Sequence, residues 1–175
     1  MPLTKIKSLG ITDGTILGTD INSTFNLTGK TVTLPAGTGG KVLQVITATD
    51  STVRSTTSAS YVTGSNTLSI SITPSSTSNK IFLVSNFAHY SSNEGLYTFF
   101  RSSTNLATNS DTCFAFFKGV SYGGFDSIQT GMSFLDSPST TSATTYQIYF
   151  RRGASGTAYL NNGGQGVITA FEIAG

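Results

Sequence analysis

Residues 41–175 consist of short apolar runs separated by turn-forming residues, and this succession constrains the fold more than any other feature of the sequence. The runs recur about every 10 to 15 residues, with Gly, Ser, Asn and Pro between them. Segments this short, bounded by turn residues, predict strands of an antiparallel sandwich or barrel. About nine strands and no helix are predicted. The predicted strands cover residues 41–47, 68–73, 80–90, 95–101, 112–118, 125–136, 144–152, 156–162 and 166–174.

Two of these segments indicate their place in the sheets. Residues 68–73 alternate strictly, so Leu68, Ile70 and Ile72 share one face while Ser and Thr share the other, and Pro74 ends the strand. Residues 167–173 are mostly apolar on both faces. We therefore expect this last strand in the middle of a sheet or at a subunit interface.

The composition excludes several classes of function. Charged residues make up 10% of the chain and its net charge is +2, whereas soluble proteins usually carry about 25% charged residues. No basic stripe for nucleic acid is present. Cys113 is the sole cysteine, so neither an internal disulfide nor a cysteine-based zinc site is expected. Apolar residues make up 37% of the chain, which is sufficient for a core.

The titratable residues do not suggest an enzyme. His89 is the only histidine and ends an apolar run, so we interpret it as a strand-end residue rather than a general base or metal ligand. The spacing of the acidic residues gives no glycosidase-type carboxylate pair, and turn formation explains them better. These residues are Glu94, Asp111, Asp126 and Asp136. We predict no catalytic residue, no cofactor and no metal.

Gly-Gly-Gln-Gly at 163–166 lacks the Lys-Ser/Thr and the following helix of a phosphate loop, so it predicts a hairpin turn. Arg151 and Arg152 must point to opposite faces of a strand. One of them then needs a partner, such as the carboxylate of Glu172 or a neighbouring subunit. The alternative is a pair of solvated arginines at a strand end.

Residues 1–36 differ from the rest of the chain. Ile11, Ile16, Ile21 and Phe25 recur about every five residues among Gly, Thr and Asp, a period that fits neither helix nor strand. So few apolar side chains cannot form a core. We predict an extended attachment segment over 1–36 that becomes ordered in an assembly, followed by a sandwich over 37–175. No run is long and apolar enough for a signal peptide or a membrane helix, so we expect synthesis in the cytoplasm and no membrane insertion.

Six aromatic residues occupy both faces of two predicted strands. They are more large side chains than one sandwich core readily accommodates. These residues are Tyr97, Phe99, Phe100, Phe114, Phe116 and Phe117. One face belongs to the core, and we predict that the other is buried between protomers, because a large exposed apolar patch is a liability on a weakly charged protein. Phe100 and Phe116 are the candidate interface residues.

Several blocks resemble a known kind of module. GGKVLQV, LSISITPSSTSNKIFLV and the closing GVITAFEIAG are similar to the C-terminal β-module of virion fibre proteins from tailed phages, especially phages of aquatic bacteria. GITDGTILGTDI resembles the stalk repeats that precede such modules. The resemblance implies an antiparallel jelly-roll-like β-sandwich with a short extended N-terminal arm, a homotrimer, and a place in the virion. A recognisable tail-docking domain is missing, so head and tail locations both stay open.

Three functions follow as hypotheses. The first is a short trimeric fibre on tail or head, attached to another virion protein through its N-terminal segment and able to contact host surface glycans through its loops. The second is a capsid decoration protein that clamps the head lattice without binding a receptor. The third is a non-viral carbohydrate-binding module, which the lack of Trp and of a signal peptide disfavours. The sequence indicates no particular receptor-binding residue.

Overall fold

The computed structural model describes residues 41–91, 94–109, 111–118 and 127–175. Within those residues the chain forms eleven strands and no helix. The strands are β1 (Val42–Asp50), β2 (Arg54–Thr56), β3 (Ser69–Ile72), β4 (Lys80–Ser91), β5 (Glu94–Arg101), β6 (Thr104–Asn105), β7 (Ala115–Lys118), β8 (Ile128–Asp136), β9 (Thr144–Arg152), β10 (Ala158–Leu160) and β11 (Gly166–Ile173). The predicted arm over 1–36 and its boundary at residue 37 lie outside the described residues.

The strands make two antiparallel sheets, which we call the β4 sheet and the β5 sheet after their central strands. In the β4 sheet, β10 and β11 pair with the same side of β4, one after the other along its length. On their far side, β1 pairs with β11 and β2 pairs with β10. The resulting order is β1–β11–β4–β8. In the β5 sheet the order is β3–β9–β5–β7, with β6 beside β7 on the same edge of β5. This arrangement is the jelly roll, so the predicted fold is confirmed.

The core lies between the sheets and follows the alternation read from the sequence. Leu68, Ile70 and Ile72 all point inward and are buried, as predicted. Strand β9 repeats the pattern, with Tyr146 and Phe150 buried between half-buried or exposed neighbours. The remaining buried members come mainly from β4, β5, β10 and β11. Strand β11 pairs with β1 on one side and β4 on the other, which confirms its predicted central position.

The two ends of the sandwich differ. Lys41 precedes β1 at one end, which we call the proximal end, and the short connections 73–79, 102–103 and 137–143 lie there. At the opposite, distal end lie the long connection from β1 to β3, residues 51–68, and the β9–β10 connection. The chain therefore enters the jelly roll at one end, and the longest connection among the described residues, 51–68, lies at the other.

Nine of the eleven strands correspond to predicted segments. The two missed strands, β2 and β6, are short and polar and form only as extensions beside β10 and β5. The predicted hairpin turn at 163–166 is wrong. Strands β10 and β11 do not pair with each other. They follow one another along the same side of β4, and the glycine-rich segment 163–166 connects them there.

Candidate interaction surfaces

Phe100 and Phe116, the predicted interface residues, both lie on the outer face of the β5 sheet. Phe116 is paired with Leu96 and is 50% exposed. Phe100 is half-buried, and its ring stacks on that of Tyr149 with centroids 4.0 Å apart. Tyr61 adds a third ring, 5.9 Å from Phe100. Phe100 is therefore largely occupied by contacts within its own chain.

The connection between β6 and β7 covers much of the same outer face. Leu106 and Phe114 bond through their backbone N–H groups to the carbonyls of Phe99 and Tyr97, so the chain leaves β5 and returns to it within one short excursion. The Tyr61 hydroxyl donates to the Thr112 carbonyl at 2.8 Å. As a result, outer-face residues of β5 such as Leu96 and Thr98 are buried. This cover explains why β5 is apolar on both faces without a second protomer.

The side chains of Arg151 and Arg152 bind backbone carbonyl groups, and that of Arg151 also packs on an aromatic ring. The guanidinium of Arg151 lies over the Tyr61 ring, 5.1 Å from its centroid, and donates to the Asp111 carbonyl. Arg152 donates to the carbonyl of Thr57 at 2.7 Å. The expected pairing of an arginine with Glu172 is wrong, because other groups surround that carboxylate.

The outer face of the β4 sheet is different, because it carries an apolar row from edge to edge that no other described part of the chain covers. The register places Val45 opposite Phe171, Phe171 opposite Phe82, and Phe82 opposite Leu135. Val45 and Leu135, on the two edge strands, are 53% and 49% exposed. The two Phe rings lie 6.3 Å apart at the centre of the row. We call these four residues the apolar row.

The residues around the apolar row are also uncharged apart from Lys80, and some of them are apolar and exposed. Leu43 and Val84 on the same face are also exposed, and the hydroxyls of Thr47 and Thr169 meet at 3.0 Å in the next row. Among the described outer positions of β1, β4, β8 and β11, Lys80 at the proximal end is the only charged residue. The two-faced apolar pattern of residues 167–173 had indicated the middle of a sheet or a subunit interface, but the sequence did not indicate that Val45, Phe82 and Leu135 lie beside this strand.

At the proximal end a buried carboxylate ties three parts of the chain together. Oε1 of Glu172 accepts hydrogen bonds from the backbone N–H of Ser75 at 2.6 Å, the Ser75 hydroxyl at 2.8 Å and Nδ2 of Asn79 at 2.6 Å. Oε2 accepts from Nε2 of Gln44 at 2.6 Å. Glu172 is 1% exposed. All four donors are neutral, so hydrogen bonds rather than an ion pair hold the charge.

This network sets the titration of Glu172. Burial opposes ionisation, but the donors from Gln44, Asn79 and Ser75 outweigh it and lower the pKa of Glu172 from 4.5 to about 2. The network also joins the ITPSSTSNK block to the terminal strand. Residues 72–80 and the terminal strand β11 are thus one structural unit.

Two further buried carboxylates have comparable structural roles. Asp50 accepts from the backbone N–H groups of Thr52 and Thr67 and from Arg54 at 3.2 Å. Asp136 accepts from Arg101 at 2.9 Å and from the Tyr146 hydroxyl at 2.6 Å. Partners in the chain therefore occupy both groups, and Asp136 lies at a strand end as expected.

His89 is enclosed by aromatic rings near the distal end. It is 3% exposed, and its Nδ1 atom is buried with no hydrogen-bond partner among the described residues. The rings of Phe117 and Tyr97 lie 4.7 and 5.1 Å away, both edge-on. Burial lowers the pKa of His89 from 6.5 to about 4. The expectation of a strand-end histidine is correct in position, because His89 lies near the end of β4.

The remaining predicted site residues, Ile11, Ile16, Ile21 and Phe25, lie outside the described residues, as does Asp126. In the described part of the chain no group of three or more His, Cys, Asp or Glu is placed to hold a metal ion. The same residues include no helix with the length and hydropathy to cross a membrane. No protein-family model and no curated protein matches the sequence.

Proposed function

We propose that this chain is a non-enzymatic structural protein of a tailed-phage virion. In this role it forms a short homotrimeric fibre on the tail or the head. Residues 1–36 attach it to another virion protein, and the loops at the distal end are available to host surface glycans. The likeness of ITPSSTSNK and of the closing strand to phage fibre modules first suggests this role.

The observation that carries the proposal is the polarity of the jelly roll. The chain enters at Lys41, at the proximal end, while the long β1–β3 connection lies at the distal end. A module joined to its support at one end presents its opposite end to the surroundings, and loops on a rigid scaffold are where recognition residues usually occur.

The role of the ionisable groups supports a structural rather than a catalytic function. The carboxylates of Glu172, Asp50 and Asp136 are each bound by donors from their own chain. His89 is buried among rings and has its pKa lowered well below neutrality. A general acid or base needs access to a substrate and a pKa near the working pH. The three carboxylates stabilise the fold instead, and His89 is closed off from a substrate by its burial.

Immunogold labelling of purified phage particles tests the proposal. Antibodies against residues 41–175 should label particles at tail or head projections, and pre-absorption with the pure protein should abolish the label. Labelling spread evenly over the head lattice would support the capsid decoration hypothesis instead. Particles without label, or reproducible cleavage of a host polysaccharide by the pure protein, would contradict the proposed role.

A further inference from the structure

We infer that the outer face of the β4 sheet, centred on the apolar row of Val45, Phe171, Phe82 and Leu135, is the surface through which copies of this chain bind one another. The inference deepens the proposed function and rests on it only for the number of copies. It places the subunit contact on the sheet opposite to the one that carries Phe100 and Phe116.

The first reason is that the apolar row has no cover within the described residues, whereas the β5 sheet has one. Residues 107–109 and 111–113, together with Tyr61, lie across the outer face of the β5 sheet, where Leu96 and Thr98 are buried. No such excursion crosses the described outer face of the β4 sheet, and Val45 and Leu135 remain about half exposed. Contiguous apolar patches of this kind mark interaction surfaces.

The second reason is the lack of charge, which identifies the occupant as another copy. Apart from Lys80, the described outer positions of β1, β4, β8 and β11 are apolar, hydroxyl, amide or glycine. A charged partner finds no complementary group there. When copies of one surface meet around a symmetry axis, like charges are brought together. A face without charges avoids that repulsion.

The third reason is that the outer face of the β4 sheet has the area of a stable protein–protein interface. Four strands about 4.8 Å apart and about eight residues long at about 3.4 Å each form a face of roughly 500 Å² in projection. Side-chain relief raises the accessible area of such a face toward the roughly 800 Å² per partner that stable interfaces bury. The face is thus large enough to hold a stable complex without the loops.

The fourth reason is where the rest of the chain is attached. Residues 1–40 precede Lys41 at the proximal end, and Val45 and Leu135 lie close to that end of their strands. If several copies are attached side by side through their N-terminal segments, their proximal ends are brought together. The apolar row is then the part of each jelly roll that comes nearest to its neighbours.

The test is the mass of the full chain in solution, measured by size-exclusion chromatography with light scattering. The wild type should be an oligomer of the 18.3 kDa chain, with a trimer expected. Leu135→Asp and Val45→Asp, which place a charge at either edge of the row, should each raise the dissociation constant at least about a hundredfold and yield monomers. Phe116→Asp is the matched control, because Phe116 is 50% exposed on the other sheet, and it should leave the oligomer intact.

Circular dichroism must show that each variant keeps the β-spectrum of the wild type, and two variants on different strands guard against one that fails to fold. A wild-type monomer at about 100 µM, well above the micromolar range of ordinary specific complexes, would overturn the inference. Folded Leu135→Asp and Val45→Asp that remain assembled, or dissociation by Phe116→Asp alone, would overturn it as well. The last result would favour the interface predicted from the sequence. The virion role is tested separately by antibody labelling of phage particles. Particles without label would contradict that role whatever the oligomeric state of the chain.

Discussion

Replacing Glu172 with Gln tests whether one buried carboxylate holds the proximal end of the jelly roll together. The substitution keeps the shape of the side chain but removes the charge, and its new NH2 group faces donors from Ser75, Asn79 or Gln44. The donors lower the pKa of Glu172 from 4.5 to about 2. At about 1.4 kcal/mol per pKa unit, this difference contributes about 3 kcal/mol to the free energy of unfolding at pH 7. Glu172→Gln should therefore lose about 2 to 3 kcal/mol at neutral pH.

The pH dependence gives the sharper readout. Because the folded pKa is depressed, the contribution of Glu172 is complete above about pH 4.5 and is lost as the pH falls through about 2. Urea unfolding followed by far-UV circular dichroism, at one protein concentration, should show a gap between wild type and Glu172→Gln that closes over this range. Asp111→Asn, which removes one negative charge from an exposed residue, is the control and should stay close to wild type. Parallel curves for wild type and Glu172→Gln would refute the role given to the network.

Two other predictions concern the opposite end and the N-terminal segment. His89 has a folded pKa of about 4 against 6.5 when exposed, so stability should fall as the pH drops from about 6.5 to about 4, because only the unfolded chain then binds the proton. The NMR signals of this single histidine should titrate near pH 4 in the folded protein, and a midpoint near 6.5 would contradict its burial. Deletion of residues 1–36 should leave a folded β-module that no longer enters phage particles; normal incorporation of the truncated chain would show that attachment uses the jelly roll.

Local pattern was enough to predict much of the fold. The alternation of Leu68, Ile70 and Ile72 predicts the buried face of β3, and the two-faced apolar character of residues 167–173 predicts the central position of β11. These patterns depend only on the period of a strand. Strands β2 and β6 have no such pattern, because both are polar and exist only where longer strands offer them backbone partners.

The surfaces depend on relations that local pattern does not contain. Gln44, Ser75 and Asn79 reach Glu172 only because β1 pairs with β11 and the turn after β3 folds over that end. The apolar row likewise requires the register of four strands drawn from distant parts of the chain. Phe100 shows the reverse problem. Its outward position follows from alternation, but its cover comes from Tyr61 and Tyr149, which the sequence does not place beside it.

A cryo-electron reconstruction of the intact phage particle tests the proposed role most directly. We predict three jelly rolls around one axis, with their β4 sheets facing that axis, their Lys41 ends toward the particle and their distal loops outward. Residues 1–36 should continue from the Lys41 ends into the supporting virion protein. Jelly rolls attached through their distal loops, or a particle map without this domain, would contradict the account.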